Sequence, residues 1–102
     1  MIADGERPLG IEHGKALLPQ KVEALGGKAY KFTSPGRGGV ADRIVCLPDG
    51  STWFVELKTA GGKMSALQLI FAEDMLRLKQ HYTVLWSKED VDEFTALSSR
   101  GG

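Results

Sequence analysis

Two apolar, β-branched runs separated by Pro48-Asp49-Gly50 constrain this chain more than any other feature. Gly39-Val40-Ala41-Asp42-Arg43-Ile44-Val45-Cys46-Leu47 precedes the turn, and Ser51-Thr52-Trp53-Phe54-Val55-Glu56-Leu57-Lys58 follows it. A three-residue loop with glycine last suits a type I turn closed by a left-handed residue, and such a turn fixes the register of a hairpin. Leu47 then faces Ser51, Val45 faces Trp53, and counting back along both strands sets Asp42 opposite Glu56. Facing like charges destabilise a ladder and raise the pKa of one partner, so a chain that keeps such a pair usually places a cation between the two. A divalent metal is the natural expectation.

Side chains alternate along a strand, so Asp42, Ile44, Cys46, Thr52, Phe54, Glu56 and Lys58 share one face. Arg43, Val45, Leu47, Trp53, Val55 and Leu57 share the other. Both faces are mostly apolar, which predicts a central hairpin covered on both sides, with ionisable residues only at the strand ends. Arg43 points away from Asp42, and pairing with a carboxylate on the opposite face would make it structural. Trp53, Phe54, Phe71 and Trp86 are expected in the core, and Cys46 reads as a small core hydrophobe.

Around the hairpin the pattern gives helix, three strands, helix, strand, helix. Ile11 to Leu25 is a weakly amphipathic helix stopped by Gly26-Gly27. Pro19 inside it predicts either a start near Leu18 or a kink. Ala29 to Thr33 reads as the first strand. Ser65 caps a helix reaching about Gln80, with Leu67, Leu69, Ile70, Met75, Leu76 and Leu78 as its apolar face. Tyr82 to Trp86 is the last strand, and Ser87 caps a final helix to about Leu97. A strand that follows a helical crossover usually lies parallel to its neighbour, so the expected class is α/β, an α+β mixed sheet with helices on its faces. Residues 11–98 form one domain in this reading, between a loose segment at 1–10 and a tail at 99–102.

Composition excludes several alternatives. No apolar run approaches ~20 residues and no charged-then-apolar signal opens the chain, so neither membrane insertion nor secretion is expected. One cysteine rules out an internal disulfide, and with only His13 and His81 besides, a structural zinc site is not expected. The formal net charge is zero, but its distribution is uneven. Lys28, Lys31, Arg37, Arg43, Lys58 and Lys63 stand against Asp42, Asp49 and Glu56 in the middle of the chain, whereas acids outnumber bases from Met64 onward. Once a metal neutralises Asp42 and Glu56, that surface becomes positive and suits a phosphate backbone. Scattered solubilising charge is the plainer alternative.

Ser34-Pro35-Gly36-Arg37-Gly38-Gly39-Val40-Ala41-Asp42-Arg43, Phe54-Val55-Glu56-Leu57-Lys58 and Gly61-Gly62-Lys63-Met64-Ser65-Ala66-Leu67-Gln68 together resemble the virus-type replication-repair nuclease (VRR-NUC) domain of the PD-(D/E)XK nuclease superfamily. The likeness covers roughly residues 12 to 95. Ala41 stands where the superfamily name has proline, a position that shapes backbone and supplies no ligand. The resemblance implies a restriction-endonuclease-like core in the order α-β-β-β-α-β-α. It also implies a standalone phage or prophage enzyme, working in the host cytoplasm, that cleaves branched DNA, including four-way (Holliday) junctions, as a metal-dependent homodimer.

On that reading Asp42 and Glu56 hold one Mg²⁺ or Mn²⁺, with the backbone carbonyl of Leu57 and waters completing an oxygen shell. Lys58 orients the attacking water, acts as base or contacts the phosphate; without the resemblance it would be an ordinary strand-end lysine. The family motif places Gln68 near the metal-bound water, and related domains carry a glutamate on the first helix, which makes Glu12 a further candidate ligand. Ser34 and Arg37 in the glycine-rich loop, Lys63 in the second loop and Lys31 are candidate DNA contacts. Cleavage of flaps, nicks or plain duplex by the same chemistry is an alternative, as is a noncatalytic nucleic-acid-binding module of the same fold.

Overall fold

A computed structural model describes the backbone of residues 11–100 and the side chains of residues 17–97. The turn behaves as its sequence demands. Gly50 has φ +90° and its N–H donates to the Leu47 carbonyl at 3.0 Å, while Leu47 N–H donates to the Ser51 carbonyl at 2.9 Å. The Asp49 carboxylate accepts from Ser51 N–H and Oγ at 2.8 and 2.6 Å, which pins the loop. Strands β2 (Arg43–Cys46) and β3 (Thr52–Leu57) then pair antiparallel with Arg43 opposite Val55, Val45 opposite Trp53 and Cys46 opposite Thr52. This is the expected register.

The elements follow the expected order. α1 (Ile11–Ala24) leads to β1 (Lys28–Lys31), then come the hairpin, α2 (Ala66–Arg77), β4 (His81–Leu85) and α3 (Lys88–Arg100). The sheet order is β1-β2-β3-β4, antiparallel except for the parallel β3–β4 pair that α2 connects. The fold is thus mixed α+β.

One face of the sheet carries the core. Leu18 and Val22 of α1 meet Val45, Leu47, Val55 and Leu85 beside Val91 and Phe94 of α3. A side chain of this size contributes roughly 1.5–3 kcal/mol when fully buried. The start near Leu18 considered for α1 is not found: the helix runs from Ile11 through the proline, and this packing explains why. Leu18 and Val22 bracket Pro19 and are both fully buried, so tertiary packing offsets the lost intrahelical hydrogen bond. Lys21 of α1 and Asp92 of α3 add an ion pair at 3.0 Å across the helix contact.

The opposite face is covered only in part. Phe71 of α2 meets Phe32, Phe54 and Tyr82 with ring centroids 5.9 to 6.4 Å apart. No residue of α2 is buried. Its half-buried inner side is Gln68, Phe71, Ala72 and Met75, whereas Leu67, Leu69, Ile70, Leu76 and Leu78 are each 49 to 63 % exposed. The apolar face expected for this helix is therefore mostly its outer side, and the expectation of full cover on both sheet faces fails on this one. Trp53, Phe54, Phe71, Trp86 and Cys46 are half-buried rather than fully enclosed. α2 also ends at Arg77, earlier than expected. Lys79 takes the left-handed conformation (φ 59°), Lys79 N–H donates to Leu76 and Gln80 N–H donates to Met75, a Schellman ending without glycine.

The long loop from β1 to β2 is seated on the first turn of α2. A Cβ built at Gly39 would lie 2.5 Å from the carbonyl carbon and oxygen of Leu67, and Gly39 has φ +84°. A Cβ at Gly36 would meet open space, with nothing within 4 Å. Gly39→Ala should therefore destabilise the fold by on the order of 2–4 kcal/mol, while Gly36→Ala stays within about 0.5 kcal/mol of the parent, as measured by urea unfolding.

Candidate active site

The hairpin register brings its acidic residues together at one end of the sheet. One step beyond the Arg43–Val55 pair, Asp42 stands opposite Glu56, and its Oδ2 accepts the backbone N–H of Leu57 at 2.8 Å. Glu56 is only 2 % exposed. Gln68 reaches it from the first turn of α2, donating from Nε2 to Glu56 Oε2 at 3.1 Å. Lys58 Nζ donates to Gln68 Oε1 at 2.7 Å and lies 3.8 Å from Glu56 Oε2. Asp42, Glu56, Lys58 and Gln68, separated in sequence, therefore form one hydrogen-bonded cluster across two strands and a helix.

Electrostatics in the cluster follow from burial. Glu56 is pushed up from 4.5 to about 7, first by its removal from water and then by the Asp42 charge, with the Lys58 ammonium working against both. Tyr82 of β4 is pushed up to about 12, again by burial first and then by the charges of Glu56 and Asp42. Tyr82 lies beside Phe54 in the parallel pairing, on the face that carries Glu56. Sequence reasoning did not select it. The signal was the parity of β4, readable only once the parallel register was known.

The donor set fits a hard divalent cation. Two carboxylates from neighbouring strands supply oxygen ligands, and a carboxylate as enclosed as Glu56 is costly to ionise without a nearby positive charge. Leu57, whose carbonyl is the third expected donor, follows Glu56 directly, and its amide is already bound to Asp42. Among the described residues no group of three or more His, Cys, Asp or Glu side chains comes together, so the carboxylate pair is the centre of any such site. Glu12 falls in the first turn of α1, and its side chain lies outside the described part.

The expected DNA contacts lie on the two loops that flank the hairpin and at the end of β1. The Ser34 carbonyl accepts the Arg37 N–H at 3.1 Å, and the Arg37 side chain is exposed. Lys63, also exposed, stands two residues before Ser65, the N-cap of α2. Lys31 closes β1 directly opposite Arg43 and shares its face, the one that points away from Asp42, so this expected contact is not brought to the carboxylates. Arg43 is half-buried and makes no ion pair with any described residue, so the structural pairing considered for it is not found.

No family profile matches the chain. Individual relatives do. "Putative nuclease p44" of Acyrthosiphon pisum secondary endosymbiont phage 1 is 44 % identical over 72 residues, which cover 71 % of this chain and 77 % of the phage protein. A solved structure described as "VRR_NUC domain" superposes with a TM-score of 0.73 at 34 % identity, covering 78 % of this chain and 86 % of that one. The chain belongs to the VRR-NUC family. Its mixed sheet and three helices are those of a PD-(D/E)XK-like core, and the family assignment makes it a nuclease, a hydrolase acting on nucleic acid. In this VRR-NUC domain Glu56 lies on β3, Asp42 directly precedes β2, and the glutamine lies on the helix that follows.

Because the folded protein holds the Glu56 proton more tightly than the unfolded chain does, this residue stabilises the metal-free fold most below pH 4.5, and that contribution is lost as the pH rises through about 7. In EDTA, unfolding free energy should fall by on the order of 2 kcal/mol between pH 4.5 and 7.5. Glu56→Gln should flatten that slope, as read by denaturant titration across the range.

Proposed function

We propose that this VRR-NUC domain is a divalent-metal-dependent endonuclease that hydrolyses phosphodiester bonds in structured DNA, with four-way junctions as its preferred substrate and a homodimer as its working form. The observation that carries the metal-dependent reading is the buried Glu56 facing Asp42, with Lys58 and Gln68 bonded into the same cluster. Asp42 and Glu56 would hold Mg²⁺ or Mn²⁺, joined by the Leu57 carbonyl and by Glu12. Such an ion supplies an activated water and stabilises charge developing on the scissile phosphate.

The chain's own groups do the rest. Lys58 stands beside the carboxylates, positioned through Gln68 to meet a phosphate oxygen or hold a water. Arg37 and Lys63 bind the phosphate backbone beside the strand ends, with the Ser34 hydroxyl as a further contact to a phosphate oxygen. No helix among the described residues is long and apolar enough to cross a membrane.

Symmetric incision of a junction needs two sites, and one small domain supplies one. The outer side of α2, with Leu69, Ile70 and Leu76 exposed, supports contact with a second copy. Sedimentation should give a dimer at micromolar concentration and a monomer for the pair Ile70→Glu and Leu76→Glu, whose exposed positions leave the monomer's stability nearly unchanged. Wild type that sediments only as monomer would remove paired incision.

The deciding experiment compares a labelled four-way junction with matched flap, nick and linear duplex in Mg²⁺, Mn²⁺ or EDTA. Paired, metal-dependent junction cuts are expected, abolished in Glu56→Ala and slowed roughly 10²–10⁴-fold in Lys58→Ala. Folded protein that binds DNA but cuts nothing with any metal would make this a binding module. Equal cutting of flaps or duplex would keep the nuclease and discard the junction preference.

A further inference from the structure

The Gln68 side chain is held from two directions at once. Ser65 and Gln68 form a capping box: Gln68 N–H donates to Ser65 Oγ at 3.1 Å, and Ser65 N–H donates to Gln68 Oε1 at 2.8 Å. Lys58 Nζ donates to the same Oε1 at 2.7 Å. A carbonyl oxygen has two lone pairs, and both are now engaged by donors. The amide therefore has one orientation open to it. Turned over, it would set its N–H groups against an ammonium and a backbone N–H, and its oxygen against the Glu56 carboxylate. In the observed sense Nε2 donates to Glu56 Oε2 at 3.1 Å.

We propose that Ser65 is a positioning residue of the nuclease site, acting through Gln68: the helix cap that starts α2 also aims the Gln68 amide between Lys58 and Glu56. Ser65 itself is exposed; the two donors to Gln68 Oε1 are its backbone N–H and Lys58, and its hydroxyl acts on the site only by fixing the first turn of α2, which sets where the amide meets both donors. A glutamine at the start of a helix without this lock would keep several rotamers and spend much of its time in solvent. Gln68 also intercepts one Lys58 proton, which leaves the lysine 3.8 Å from Glu56 instead of in a closed ion pair. The lysine is thus near the carboxylate but not consumed by it. The role in catalysis rests on the nuclease reading; the aiming of the amide does not.

The test uses the full chain with Ser65→Ala, Ser65→Thr and Gln68→Glu. Side-chain amide NMR signals of Gln68, recorded in EDTA without substrate, report the lock directly. Steady-state cleavage of a four-way junction in Mg²⁺, at a temperature well below every unfolding midpoint, reports its use. Ser65→Ala should speed solvent exchange of the Gln68 amide protons and lower kcat roughly fivefold to tenfold with KM unchanged, and Ser65→Thr, also a good cap, should restore both. Gln68→Glu keeps the capping box yet should lower kcat further at a temperature where it is folded, because it replaces the donor facing Glu56 by an acceptor. Ser65→Ala with a lower midpoint but unchanged amide signals and kcat would overturn the proposal and leave Ser65 a cap alone. If Ser65→Ala frees the amide while wild type cleaves no DNA with any metal, the aiming stands and the nuclease reading is what fails.

Discussion

A single hydrogen bond, from the Leu57 amide to the Asp42 carboxylate at 2.8 Å, holds the hairpin closed where it is electrostatically weakest. Beyond the last β2–β3 pair two carboxylates face each other, and their repulsion would splay the strand ends. The bond satisfies one Asp42 oxygen from the strand that carries Glu56, so the group that causes the repulsion also bridges it. On its other edge β3 pairs with β4 through Leu57, and Lys58 N–H donates to the Leu85 carbonyl at 3.0 Å, so Glu56 is held on a strand fixed from both sides and Gln68 and Lys58 have a fixed carboxylate to meet.

The two faces of the sheet divide the work. α1 and α3 enclose one face in a contiguous apolar core. The other face carries the carboxylates, the tyrosine and an aromatic layer of Phe32, Phe54 and Phe71, under a helix with no buried residue. Such a face is thermodynamically poorer, and it leaves room for chemistry. Burial there is sufficient to raise Glu56, but the site stays open at the strand ends, where the basic loops begin.

The hairpin was legible because a three-residue turn ending in glycine fixes register, and register fixes which side chains face each other. The four clustered site residues were legible for that reason and through the family motif. α2 was less so, since Leu67, Leu69, Ile70, Leu76 and Leu78 outnumber the residues that one buried side needs, and periodicity alone cannot say which leucines are left outside. A helix start near Leu18 stayed open as one reading of Pro19 because local backbone preference says nothing of how deeply Leu18 and Val22 are buried. Ser65 was read as a cap and Gln68 as a site residue, but that one amide serves both functions is a property of three-dimensional distances. Tyr82 stayed hidden because its parity depends on a pairing far apart in sequence.

The four clustered residues all lie between positions 42 and 68, on one hairpin, one loop and the first turn of one helix. The apolar core, by contrast, joins α1 to α3 from opposite ends of the domain. Geometry at the reaction centre is thus encoded by near-neighbour contacts, and global stability by distant ones. Core lesions in α1 or α3 will accordingly reduce how many molecules are folded at a given moment while leaving each folded molecule's affinity and turnover intact. The kinetic signature of such variants is a smaller active fraction, separable by active-site titration from lesions that change the machinery itself.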